Sequence, residues 1–244
     1  MTLGGTWLSA YSIVKLALAV WLFSYTLTKR PRSRTRAALV LTCVAAIAAA
    51  SVSMGFSVFP TLTDDLSLLV AVLTFVGELA LAVVAQRCVY ECPLWTSVFC
   101  CSMAYSLENL SSAAERTLSV LWPVSAYPAT LLEGSVRYWT LSLLVYALAY
   151  PLLIKRIEKT GLLQIDDPVM VLATALVIVV NMVLDLVVKD VVVPDLGVPA
   201  YDANTLSTVY LLLCVYIMYS AFEIVYVRRL QMSMAAIERL RAAE

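Results

Sequence analysis

The chain has 244 residues, of which 62% are hydrophobic and 14% charged, and its mean hydropathy is +0.88. An ordinary globular domain is about half apolar and a quarter charged, so this composition points away from one and toward a helical membrane protein. The formal net charge is zero and histidine is absent, which excludes a nucleic-acid field, Ser–His and Cys–His proteases, H-E-x-x-H metalloproteases and histidine-ligated haem.

A hydrocarbon core takes about 20 apolar residues per helix. In chain order the apolar runs predict spans near 7–28, 37–59, 66–86, 95–116, 136–154, 168–188 and 205–227. No basic stretch precedes the first run, and Lys15 lies inside it, so it reads as a retained span and not as a cleavable signal. The basic segment Lys29-Arg30-Pro31-Arg32-Ser33-Arg34-Thr35-Arg36 separates the first and second spans, and Pro60 to Asp65 the second and third. Glu91-Cys92-Pro93 stops the third helix, and Pro151 should kink or end the fifth. Pro168 suits the first turn of the sixth. The expected fold is all-α: a polytopic membrane helix bundle of seven spans, or six if the first segment lies on the surface.

Orientation follows from lysine and arginine in short loops. The segments 29–36, 86–94, 155–167 and the tail from 228 hold 13 of the 17 basic residues. The opposite loops hold Lys189 and the acids Asp64, Asp65, Glu133, Asp190, Asp195 and Asp202. This predicts a multi-pass protein of the cell membrane, N-terminus outside and C-terminus cytoplasmic, with the lipid bilayer as its first partner. Trp122, Tyr127, Trp139 and Tyr201 fit an outer aromatic belt and Trp95 an inner one. Residues 1–227 form the expected transmembrane bundle, and 228–244 begin a cytoplasmic amphipathic helix.

The six cysteines (43, 88, 92, 100, 101 and 214) fall within spans or on the inner side, which argues against structural disulfides. Cys88 and Cys92 have C-x-x-x-C spacing. That allows a metal site or, alternatively, reduced thiols packed as small apolar groups. No Gly-rich phosphate loop occurs, and the last span lacks the lysine a retinal Schiff base needs. The chain as it stands reads as neither an enzyme nor a cofactor protein.

Ionisable residues inside apolar runs are expensive, so each is a candidate for function. Tyr105, Glu108, Ser112 and Glu115 follow 3-4-3 spacing and share one face of the fourth helix. Glu108 and Glu115 stand two turns apart, about 10 Å. That face is either the wall of a ligand pocket or an interhelical hydrogen-bond cluster. Asn181, Asp185 and Lys189 form a stripe on the sixth helix, ligand-facing or a satisfied seam. Glu78, one turn after Thr74, suits a pairing with another helix or proton coupling. Glu223 lies near the end of the last span, just before Arg228 and Arg229. Beyond it, Val227, Leu230, Met234 and Ile237 repeat at 3-4-3 spacing, as in a short coiled-coil stripe, and no Gly, Asn or Pro follows to stop the helix.

The string Met103-Ala104-Tyr105-Ser106-Leu107-Glu108-Asn109-Leu110, the basic first loop and the Arg228-Arg229 exit into a charged helix form a layout. It resembles the N-terminal membrane sensor of GHKL-type sensor histidine kinases, the class that includes bacterial peptide-pheromone receptor kinases. The resemblance implies a two-component signalling role as a homodimer. An extracellular peptide or small-molecule signal would bind the bundle, and the last helix would pass a rearrangement to a cytoplasmic kinase and response regulator beyond residue 244. On the residues alone, Tyr105, Glu108, Ser112, Glu115, Asn181 and Asp185 are the candidate signal face. Glu223, Arg228, Arg229, Leu230, Met234 and Ile237 are the candidate output. Two rival readings stand beside it, a small transporter or channel subunit and a non-catalytic membrane interaction partner.

Overall fold

The computed structural model describes residues 3–25, 27–53, 65–121, 131–155, 172–173, 175–180 and 200–243. Among these, every element is helical: α1 (Leu3–Ser24), α2 (Ser33–Ser53), α3 (Asp65–Val89), α4 (Leu94–Leu121), α5 (Leu131–Ala149) continued by a π-helical turn (Tyr150–Ile154), and α6 (Ala200–Ala243). Residues 175–180 add a short helical piece.

The helices are separated at the breaks near Lys29–Pro31 and Glu91-Cys92-Pro93, while α4 runs on to Leu121, α5 starts at Leu131 and α6 at Ala200, outside the expected edges; the membrane reading does not hold. Among the described residues, no helix is long and apolar enough to cross a membrane. The seven-span bundle, the six-span variant, the outside-to-cytoplasm orientation and the multi-pass cell-membrane location are therefore corrected. The physical reason lies in what interrupts the apolar runs. Lys15 in α1, Gln86 in α3, and Glu108 and Glu115 among the serines of α4 are all buried. The fold turns Lys15, Glu108 and Glu115 toward one another inside the bundle and gives Gln86 separate partners in Ser24 and Ser97. The expected sixth span, 168–188, is described only at 172–173 and 175–180, both helical.

Helix α4 is the axis of the bundle. It packs against α1, α3, α5 and α6, and α2 packs against α1 and α3. The side-chain pairings set the directions. Lys15 of α1 lies level with Glu108 and Glu115 of α4, while Ser24 joins the group formed by Gln86 and Ser97. Helix α1 therefore runs antiparallel to α4. Helix α5 does likewise: Ser142 meets Glu115, and Tyr150 at its far end pairs with Tyr25 (OH to OH 3.1 Å). Cys214 of α6 packs on Ala113, and Tyr226 packs on the cluster that holds Phe99 and Cys100. So α6 also descends along α4.

The main apolar cluster is built from Ala19, Phe23, Phe99, Cys100, Met103, Ala104, Leu107, Tyr146, Ala149 and Val177. Small residues let α4 approach its neighbours closely. The hydroxyls of Ser102, Ser106 and Thr117 donate to the carbonyls of Val98, Ser102 and Ala113 one turn earlier. This back-bonding satisfies them locally and allows a serine-rich helix to be buried. Large apolar side chains such as Trp21, Leu39, Leu148 and Leu172 remain on the outside.

Two loops are zipped together at one end. Lys29 and Tyr90 form an isolated antiparallel bridge, with Arg30 N–H donating to Val89 O (3.0 Å) and Glu91 N–H to Thr28 O (2.8 Å). The Arg30 Nε–H donates to Tyr90 O (3.0 Å) and Arg36 Nη1 to Cys88 O (3.1 Å). Between the helices, Arg30 to Ser33 form a turn closed by Ser33 N–H to Arg30 O (3.0 Å), with Arg32 at φ 58°. Proline at the second position and a left-handed third residue define a type II turn. Proline also shapes the end of α5: Pro151 lacks an N–H, and the chain widens into the π-helical turn there instead of stopping.

Candidate functional site

The site grows from one helix face. Spacing of i, i+4, i+7 brings Glu108, Ser112 and Glu115 to the same side of α4. The structure adds what faces them: Lys15 from α1 and Ser142 from α5. Lys15 is only 1% exposed, and its Nζ lies 3.3 Å from Glu108 Oε1 and 3.5 Å from Glu115 Oε1. The ammonium also donates to Ser112 Oγ (3.0 Å) and reaches Ser111 Oγ at 3.5 Å.

The serines carry the network onward. Ser112 Oγ donates to Glu108 Oε1 (3.0 Å), and Ser111 Oγ to Ser142 Oγ (2.9 Å). Ser142 in turn donates to Glu115 Oε1. Both carboxylates are thus reached twice, once by the ammonium and once by a hydroxyl. Tyr146 OH of α5 donates to the backbone carbonyl of Lys15 (3.2 Å), which fixes the stretch of α1 that carries the lysine. Three helices are held by one charge-assisted network in a dehydrated interior, where such bonds are stronger than on a surface.

Of the residues singled out from sequence, Glu108, Ser112 and Glu115 come together here. Tyr105 is buried on α4. Asn181 and Asp185, with Lys189, lie outside the described residues. Glu78 is half-buried on α3. Of the output residues, Glu223 is half-buried, and Arg228, Leu230, Met234 and Ile237 are exposed. Arg229 lies on the same unbroken helix. Sequence reasoning missed Lys15, Ser111 and Ser142 as members of the site. The available signal was a lone lysine in an apolar run, opposite in charge to two glutamates on another helix.

A second buried polar group, also missed, lies one level closer to the zipped loops. Gln86 Nε2 of α3 donates to Ser24 Oγ of α1 (2.7 Å), and Ser24 Oγ donates to Val20 O. Gln86 Oε1 accepts from Ser97 Oγ and from Cys101 Sγ at 3.5 Å, both on α4. One amide therefore ties α1, α3 and α4 together.

The thiols around it are not poised for chemistry. Burial pushes Cys100 up to about 12. Burial raises Cys101 further, with Cys100 and Cys92 adding to the effect. Cys92 is raised by burial and partly restored by the Arg87 charge, a Ser97 hydrogen bond and Arg30. A thiol held protonated is neither a good nucleophile nor a metal ligand. Cys88 is exposed while Cys92 is buried. Among the described residues no group of His, Cys, Asp or Glu is placed to hold a metal ion.

Comparison with known proteins finds no matching family model, and neither a curated protein nor a solved structure of significant similarity. Nothing there identifies the chain as the sensor region of a histidine kinase.

Proposed function

We propose that this chain is a non-catalytic signal-relay module, in which the packing of α4 links the buried charge network to the long helix α6. The observation that carries this reading is the two-sidedness of α4. One side holds Glu108, Ser111, Ser112 and Glu115 against Lys15 and Ser142. The other side sets Leu110 and Ala113 against Leu211 and Cys214 of α6. These residues alternate within two turns of helix, so α4 cannot rotate or slide at the network without moving the ridge that seats α6. Interfaces of this kind change between discrete packings and do not deform smoothly.

A signal that weakens the hold of Lys15 on the two carboxylates would shift α4 and, through Ala113, α6. The reading needs two states whose balance the network biases. Its test is amide hydrogen exchange on the intact chain carrying Ser142→Ala, a mild lesion in the network. Protection should change along 211–226 of α6 more than along α2, which packs on α1 and α3. Equal changes in both helices, or none in α6, would defeat the relay.

A further inference from the structure

We infer that the zipped-loop end of the bundle and the projecting part of α6 form one docking surface for an acidic, amphipathic helical segment of a partner protein. The inference rests on the relay reading for its purpose, though the surface itself is described independently of it.

Three observations build it. First, the basic residues gather at this end. Lys29, Arg32, Arg34 and Arg87 are all exposed around the two loops that Arg30 and Arg36 tie together. Lys155 follows the π-helical turn whose Tyr150 pairs with Tyr25 at the same end, and it too is exposed. The acidic residue of these loops is Glu91. Around the two loops the described cations outnumber the one acid, which makes a positive local field although the whole chain is neutral.

Second, α6 passes this end and continues. Cys214 is level with Ala113, and α4 begins at Leu94. At 1.5 Å per residue, α6 reaches the level of Leu94 near residue 233, and its remaining residues extend roughly 15 Å farther. All of residues 230–241 are exposed.

Third, α6 carries the 3-4-3 stripe Val227, Leu230, Met234 and Ile237, each about half exposed, which begins alongside α4 and continues through Met234 and Ile237 onto the projecting part. An uncovered stripe of this period is the geometry that receives another helix. Apolar residues of the partner would lie on the stripe and its carboxylates would face the loop cations. A flat anionic surface fits less well, because the projecting helix stands in its way. A second copy of α6 running parallel would set the exposed Arg228, Arg239 and Arg241 against their own counterparts, which opposes that pairing.

The test uses the intact chain and a synthetic amphipathic helix of about three heptads, with leucine along one stripe and glutamate elsewhere. Its lysine-for-glutamate counterpart and vesicles of phosphatidylserine and phosphatidylcholine are the comparisons. The acidic helix should bind, and rising salt should weaken it. Arg32→Gln with Arg34→Gln and Arg87→Gln should reduce affinity about tenfold, since exposed pairs contribute modestly each. Leu230→Ser with Ile237→Ser, at exposed positions that leave the bundle intact, should reduce it at least as much. Equal binding of the basic helix, indifference to either set of substitutions, or preference for the vesicles would overturn the proposal. The exchange experiment on α6 needs no partner, so failure of docking and failure of the relay are read separately.

Discussion

Lys15 on α1 and Glu108 on α4, 93 positions apart in the chain, meet at 3.3 Å with the lysine almost fully enclosed. Removing one member of a buried pair leaves the other charge without compensation, which costs about 3–5 kcal/mol. Lys15→Met should therefore lower unfolding stability by about that amount in denaturant titration. Combining it with Glu108→Gln and Glu115→Gln should recover most of the loss, because the buried charges then disappear together. A triple variant no more stable than Lys15→Met would mean that the network matters for shape and not for charge.

The Gln86 amide joins three helices through Ser24, Ser97 and Cys101. Gln86→Ala should cost about 2–3 kcal/mol, from the loss of the amide's hydrogen bonds to Ser24, Ser97 and Cys101 together. Ser97→Ala alone should cost about 1 kcal/mol. Similar losses from the two substitutions would show that the amide is not the hub.

Arg32 holds a left-handed backbone at φ 58° in a turn whose third position suits glycine. A side chain there costs about 1–2 kcal/mol. Arg32→Gly should raise the unfolding midpoint by the equivalent of up to about 1 kcal/mol, after the greater freedom of glycine in the unfolded chain is subtracted. Arg32→Ala should give none of that gain, and an equal gain from alanine would rule out backbone strain as the cause.

The buried thiols make stability fall with rising pH. Cys100 is raised from 9.0 to about 12 and Cys101 is raised as well. Their stabilising preference for the folded state is fully present below the unfolded value. Above pH 9.0 the unfolded chain begins to release these protons while the folded chain keeps them, so stability declines between pH 9.0 and about 12. Urea midpoints measured across that range should fall, and Cys100→Ala with Cys101→Ala should flatten the slope. Alkylation at neutral pH should reach the exposed Cys43 and Cys88 long before Cys100 or Cys101.

Much of the secondary structure was legible. The helix breaks at Lys29–Arg36 and at Glu91-Cys92-Pro93, and the π-helical widening at Pro151, are written in local chemistry, namely charge clusters and missing N–H donors. The continuous helix through Arg228 and Arg229 to the end was also legible, because no stop signal interrupts it. The face Glu108–Ser112–Glu115 followed from helical period alone. What faces it did not. A hydropathy reading scores each run by itself, so Lys15 read only as a charge inside a retained span, while in the fold it is the counter-charge of two glutamates far along the chain. The membrane expectation came from that same habit of scoring runs singly, and it is overturned by the absence of a sufficiently long apolar helix among the described residues.

The amino-acid sequence by itself determined that the described residues are helical, where the chain breaks between α1 and α2 and between α3 and α4, and which α4 residues share a side, because those properties depend on neighbours within a few positions. Only the tertiary structure decided that α4 is the axis, that Gln86 ties α1, α3 and α4 and that the basic loops and the α6 tip share one end. Those relationships join residues dozens of positions apart, and they arise from how the faces of different helices pack, which no local pattern encodes.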